Sequence, residues 1–149
     1  MKAGDGIGSI WPTPEGGLAI KFINKTGAAS VKGTLLEAGT VVDDSVQLVG
    51  IDDPDCIGTI YEDGIADGEL VWVVTHGKAD VLLEDTTAST RGYWCSVSAV
   101  QQGRANITLA APPGGTINAI DAHFREIGHC VQSVTAGTDK LARVIMHFN

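Results

Sequence analysis

The sequence predicts one small, mostly β domain, a sandwich or barrel, carrying an extended N-terminal arm and at most one short helix. Three observations lead there. From Leu18 onward, short apolar runs alternate with clusters of Gly, Asp, Asn and Pro, the pattern of strands joined by turns. Helical signal is scarce, because no long stretch keeps a 3.6-residue apolar period. Residues 1–17 are rich in Gly and Pro and hold a single apolar group, Ile7, Ile10 and Trp11, with no period of their own.

These observations set the elements in order. Residues 1–17 form the expected arm, in which Pro12 and Pro14 keep the chain extended and Trp11, costly to leave in water, docks on a surface. That surface is either a partner or the chain's own domain. Residues 18–149 form the β domain. Its expected strands are Ala19 to Ile23, Val31 to Leu36, Val46 to Ile51 and Ile57 to Tyr61, separated by turns such as Asn24-Lys25-Thr26-Gly27 and Asp52-Asp53-Pro54-Asp55. Glu69 to Thr75 and Ala79 to Leu83 then flank His76-Gly77-Lys78, which reads as a tight hairpin with Gly77 at positive φ. Gly92 to Val97 and Asn106 to Leu109 continue the series. The clearest strand is Leu141 to Phe148, with Leu141, Arg143, Ile145 and His147 on one face and Ala142, Val144, Met146 and Phe148 on the other. Thr86 to Arg91 is a candidate helical turn. Ile117 to Ile127 is a candidate short helix, capped by Asn118 and ended by Gly128, and Pro112-Pro113-Gly114-Gly115 reads as a crossing loop.

Composition narrows the function classes. With 149 residues, 44% of them hydrophobic and 19% charged, the chain is long enough for one real core and too short for two ordinary domains. No apolar run approaches the roughly 20 residues of a membrane helix. The start MKAGDGIGSIWPTPEGG lacks the apolar stretch of a signal peptide, so the expectation is a protein neither secreted nor membrane-bound. Cys56, Cys95 and Cys130 are an odd number without CxxC spacing, as expected of buried thiols made in a reducing cytosol. The net charge of −8 is concentrated between Glu37 and Asp85, where Lys78 is the single cation. Such a surface repels phosphate backbones, which argues against direct nucleic-acid binding.

Catalytic and metal-binding patterns are weak. His129 and Cys130 are neighbours whose side chains leave a strand on opposite faces, so they make no nucleophile and base pair. His129 with Cys95, or His147 with Glu126, meet only if folding brings them together. His76, His123, His129 and His147 lack ligand spacing on one strand or helix. Asp52, Asp53 and Asp55, and Glu62, Asp63, Asp67 and Glu69, do not follow the calcium-loop pattern and read as solvated turns. Gly4, Gly6 and Gly8 do not join a strand to a helix and offer no phosphate cradle. Trp72 and Trp94 are candidate sugar platforms, with core packing the plainer reading. The expectation is therefore no catalytic residue, no cofactor and no metal. A weak internal similarity relates Cys56 to Glu62 plus Leu70 to Val74 with Glu126 to Gln132 plus Leu141 to Met146, each an Ile-Gly pair opening a strand, a turn and a second strand.

The run Cys56-Ile57-Gly58-Thr59-Ile60-Tyr61-Glu62-Asp63-Gly64 carries a family resemblance. So do Ala79 to Asp85 leading to Arg91-Gly92-Tyr93-Trp94, and the tail from Ile127-Gly128-His129-Cys130 to Val144-Ile145-Met146-His147-Phe148-Asn149. Over about residues 18–149 the chain resembles the head decoration, or capsid cement, proteins of tailed phages. That resemblance implies a β-barrel or β-tulip fold, a homotrimer on the outer surface of the mature capsid, and the major capsid protein as partner. It also implies no enzymatic activity, and synthesis in the host cytoplasm. The arm residues Ile7, Ile10, Trp11, Pro12 and Pro14 are the expected capsid interface. Two rivals remain: another virion component (a head fibre base, a tail part or a carbohydrate-binding module), and a small hydrolase or isomerase built on a β-barrel, which requires a polar pocket where His129 or His147 meets a carboxylate.

Overall fold

β-Branched and apolar residues at alternating positions draw the chain into strands, ten of them among the residues that the computed structural model describes, 6–109 and 123–147. In chain order they are β1 (Ile10–Pro12), β2 (Gly17–Asn24), β3 (Leu35–Ala38), β4 (Ser45–Leu48), β5 (Cys56–Ile60), β6 (Leu70–Leu82), β7 (Trp94–Val97), β8 (Ala105–Thr108), β9 (Glu126–Cys130) and β10 (Leu141–Met146). They hydrogen-bond in the order β1-β2-β4-β3-β5-β6-β10-β9-β7-β8, and an additional β2–β6 pairing closes β2, β4, β3, β5 and β6 into a five-stranded ring. The small, mostly β barrel expected from the sequence is the fold observed. Within the ring only β2 and β4 run parallel.

The 13-residue β6 serves two sheets. Its first part pairs with β2 and β5 inside the ring, and its last six residues, Gly77 to Leu82, pair with β10. From there β10, β9, β7 and β8 extend a second sheet. That sheet curls back on itself, since a parallel bridge joins Leu83 to Ala105 and Glu84 N–H donates to the Ala105 carbonyl at 2.9 Å.

The expected hairpin at His76-Gly77-Lys78 is therefore absent. Gly77 does take positive φ, 81°, but it does so next to a register shift, with Leu18 opposite His76 and Ala19 opposite Val74. A bulge of this kind bends a strand without reversing it, which lets β6 leave the ring and enter the second sheet. A Cβ at residue 77 would stand 2.6 Å from the Gly16 carbonyl oxygen, so only glycine fits.

Two apolar clusters result. Leu36, Val46, Ile60, Val71 and Val73 are buried together, with Phe22, Ile57 and Ile65 against them. A larger cluster joins ring residues such as Ala19, Leu35 and Val74 to Val81, Cys95, Val97, Ile127, Val144 and Met146 of the second sheet. β10 shows the alternation read from its sequence: Ala142, Val144 and Met146 are buried while Leu141, Arg143 and Ile145 are not. Each fully buried Val or Leu stabilises the fold by roughly 1.5–3 kcal/mol.

Other expectations change. The segment expected as an extended arm folds back: Ile10, Trp11 and Pro12 pair antiparallel with Ile20, Ala19 and Leu18, and Trp11 packs on Tyr61 and Trp72 at centroid distances of 5.2 and 5.5 Å. Thr86 to Arg91 is not a helical turn, because Thr86 takes φ 67° and Ser89 bridges to Val134. Of the candidate helix, residues 123–124 are helical and Glu126 and Ile127 open β9. Its earlier part with Asn118, the loop Pro112-Pro113-Gly114-Gly115, and Phe148 lie outside the described residues.

Candidate functional site

Glu126, His129 and His147 converge at the outer face of the β9–β10 pair. Strict alternation would send Glu126 and His129, three apart on β9, to opposite faces. A bulge overrides this. Against β7, Cys95 faces Gly128 and Ser96 faces Glu126, so Ile127 is the extra residue; it turns into the core, 1% exposed, and Glu126 swings to the side of His129. β10 brings the third residue: Ile145 lies opposite His129, His147 follows it on the same face, and His147 N–H donates to the Ile127 carbonyl at 3.0 Å. Trp94, opposite His129 on β7, packs on its ring at 4.4 Å.

Three atoms define the site. His129 Nδ1 lies 3.0 Å from His147 Nε2, Glu126 Oε1 lies 3.6 Å from His147 Nε2, and the same oxygen lies 3.9 Å from His129 Nδ1. Glu126 is buried, 3% exposed, and its Oε1 has no hydrogen-bond partner among the described residues. Its other oxygen is 3.8 Å from His123 Nδ1. A buried carboxylate oxygen left without a donor is costly, which makes this oxygen the most conspicuous polar atom of the fold. The sequence offers the His147–Glu126 pair as a candidate but has no means to bring it together. The available signal is Gly128 inside a strand, a common mark of a bulge. The meeting of histidine with carboxylate is one part of what an enzymatic reading requires, the other being a polar pocket around it.

The expected interface residues divide. Ile7 and Ile10 are 49% and 60% exposed, and Pro12 and Pro14 are exposed as well, whereas Trp11 is half-buried against the chain's own aromatic residues. Trp72 lies beneath Trp11 and the Lys21 ammonium, and Trp94 against His129, so neither is a bare sugar platform. The acidic turns have local duties. Asp53 Oδ1 accepts from Asp55 N–H, Asp63 from Lys32 N–H and Asp67 from Gly27 N–H, while Asp52 pairs with Arg125. A cleft of about 190 Å³ among Thr13, Glu15, Tyr61, Asp80 and Arg143 is crossed by the Lys32–Asp80 ion pair at 3.1 Å.

The three cysteines are buried and free. Burial pushes the Cys56 thiol up to about 12 and Cys130 up to about 11, and burial and then the nearby Cys130 raise Cys95 well above its usual value. A thiol so raised holds almost no thiolate at neutral pH and is a poor nucleophile. Cys130 points into the core while its neighbour His129 points out. Neither protein-family models nor curated proteins yield a match to this chain.

Proposed function

We propose that the chain is a structural component of a phage virion. It binds the outer surface of the mature capsid as a homotrimer and stabilises the shell by bridging subunits of the major capsid protein. The supporting observation is the end strand β1, stapled to its own barrel by Trp11 while Ile7 and Ile10 beside it face solvent. An end strand offers unpaired backbone groups to a partner sheet, and the two exposed isoleucines gain apolar burial when it docks. A second apolar group gives the bridge another foothold. Ile51, Val100 and Phe124 are exposed on segments tied together by Asp52 N–H to Ser98 O, Val97 N–H to Arg125 O and the Arg125–Asp52 ion pair. Cementing requires no chemistry, because a protein that binds only the expanded lattice stabilises that state by its differential affinity, and many copies add modest contacts into a strong shell.

The test substitutes Ile7→Asp and Ile10→Asp together and leaves Trp11 in place. Occupancy on purified capsids should fall at least roughly tenfold, equivalent to about 1.4 kcal/mol, at an unchanged Tm, since both side chains face solvent. Unchanged occupancy would remove β1 from the interface and with it the observation that supports this reading. The meeting of Glu126 with His129 and His147 favours a second reading, a small hydrolase on the same scaffold. Ester or phosphoester turnover that disappears in His129→Ala separates it from the first.

A further inference from the structure

We infer that Glu126, His129 and His147 bind one divalent transition-metal ion of the zinc type. The distances carry this. His129 Nδ1, His147 Nε2 and Glu126 Oε1 stand at the corners of a triangle with edges of 3.0, 3.6 and 3.9 Å. The triangle is acute, so one interior point is equidistant from all three atoms. That distance is about 2 Å, the length of a zinc–nitrogen or zinc–carboxylate bond. The ligand atoms already surround an ion-sized position, and no side chain has to move far to accept the ion.

The independent observation is the orphaned oxygen. Glu126 is only 3% exposed, and the oxygen without a hydrogen-bond donor is the one facing both imidazoles. A cation at the centre of the triangle supplies the missing partner. An ion at the centre takes one lone pair from each of the two facing histidine nitrogens, 3.0 Å apart, and each neutral imidazole then carries its proton on its other ring nitrogen. The ligand set selects the ion. Two imidazoles and one carboxylate suit zinc, nickel, cobalt or copper, while magnesium and calcium prefer oxygen-only shells. Three protein ligands leave a fourth position open, and the histidines, 37% and 43% exposed, border solvent where a water completes the tetrahedron. The support is rigid: the β7–β9 bulge sets Glu126, Trp94 holds the His129 ring, and the β9–β10 ladder fixes the spacing to His147. The ion would clamp β9 to the segment that follows β10.

The experiment uses the full chain, stripped with chelator and titrated calorimetrically with zinc chloride, with magnesium and calcium chloride as controls. One equivalent of zinc should bind with micromolar or tighter affinity, raise Tm, and be displaced by neither control ion. Glu126→Gln and the double variant His129→Ala/His147→Ala should each bind at least roughly a hundredfold more weakly. A second readout needs no variant: zinc should shift the imidazole resonances of His129 and His147 in labelled wild-type protein and leave His76 in place. Zinc binding of equal strength in the variants, equal shifts at His76, or no binding by the wild type would each overturn the proposal.

Discussion

At the scale of single residues, Gly128 decides whether the site exists. It sits between Ile127 and His129 at the bulge, and a Cβ there would collide with the Ile145 carbonyl of β10. Any side chain must push β9 and β10 apart at the point where His129 and His147 meet. Gly128→Ala is therefore expected to cost about 2 kcal/mol or more in urea unfolding, within the range of overpacked cores. An alanine at Gly64 or Gly92, whose surroundings leave open space for a Cβ, carries backbone strain alone. Gly128 also marks the limit of what the sequence discloses. The identities of Glu126, His129 and His147 and the two faces of β10 are legible from the period-2 pattern. The convergence is not, because a bulge inserts one residue and reverses the facing of everything before it, and no local preference announces which residue is extra.

At the scale of elements, the same physics separates what is legible from what is not. Most strands lie within a few residues of where the apolar runs place them, because burial of alternate side chains drives both. β6 does not, since Gly77 permits a hairpin turn and a strand bulge equally well, and the choice is made by Gly17 across the ladder, sixty residues away in the chain. β1 likewise depends on Tyr61 and Trp72, which supply the surface that Trp11 covers. The loops after β6 and β7 are held by a polar knot of the same long-range kind. Asp85 accepts from Gln101 Nε2 at 3.0 Å, from Arg104 Nη1 at 3.1 Å and from Asp139 N–H at 3.1 Å. The Gln101 side chain and then the Asp139 amide hold its carboxyl below the usual carboxylate value. A group whose folded pKa is depressed adds stability that is complete above its unfolded value of about 3.9 and is lost as pH falls through the folded value. Asp85→Asn should therefore flatten the acid limb of the Tm–pH profile below about pH 4 and leave its shape near neutrality unchanged. An identical acid limb in the variant would show that the knot does not stabilise through its charge.

At the scale of the whole molecule, the ring and the second sheet share both a strand and a core. β6 runs unbroken through the two, and the larger cluster gathers Leu35 and Val74 from the ring with Val97, Ile127 and Val144 from the second sheet. Neither part can lose its packing without exposing apolar surface of the other, so the chain should unfold in one cooperative step. In a Trp94→Phe background the remaining Trp11 and Trp72 lie on the ring side of the molecule, on β1 and the first half of β6, while far-UV circular dichroism reports on all strands. The two transitions should coincide in denaturant. Leu35→Ala, a truncation at a fully buried ring position, should cost about 3 kcal/mol and move both probes by the same amount. A ring transition that separates from the dichroism, or a truncation felt by fluorescence alone, would mean that the bent β6 is a hinge between independent units. It would also loosen the support that holds His147 against β9, because among the described residues the strands that β10 pairs with are the second half of β6 and β9.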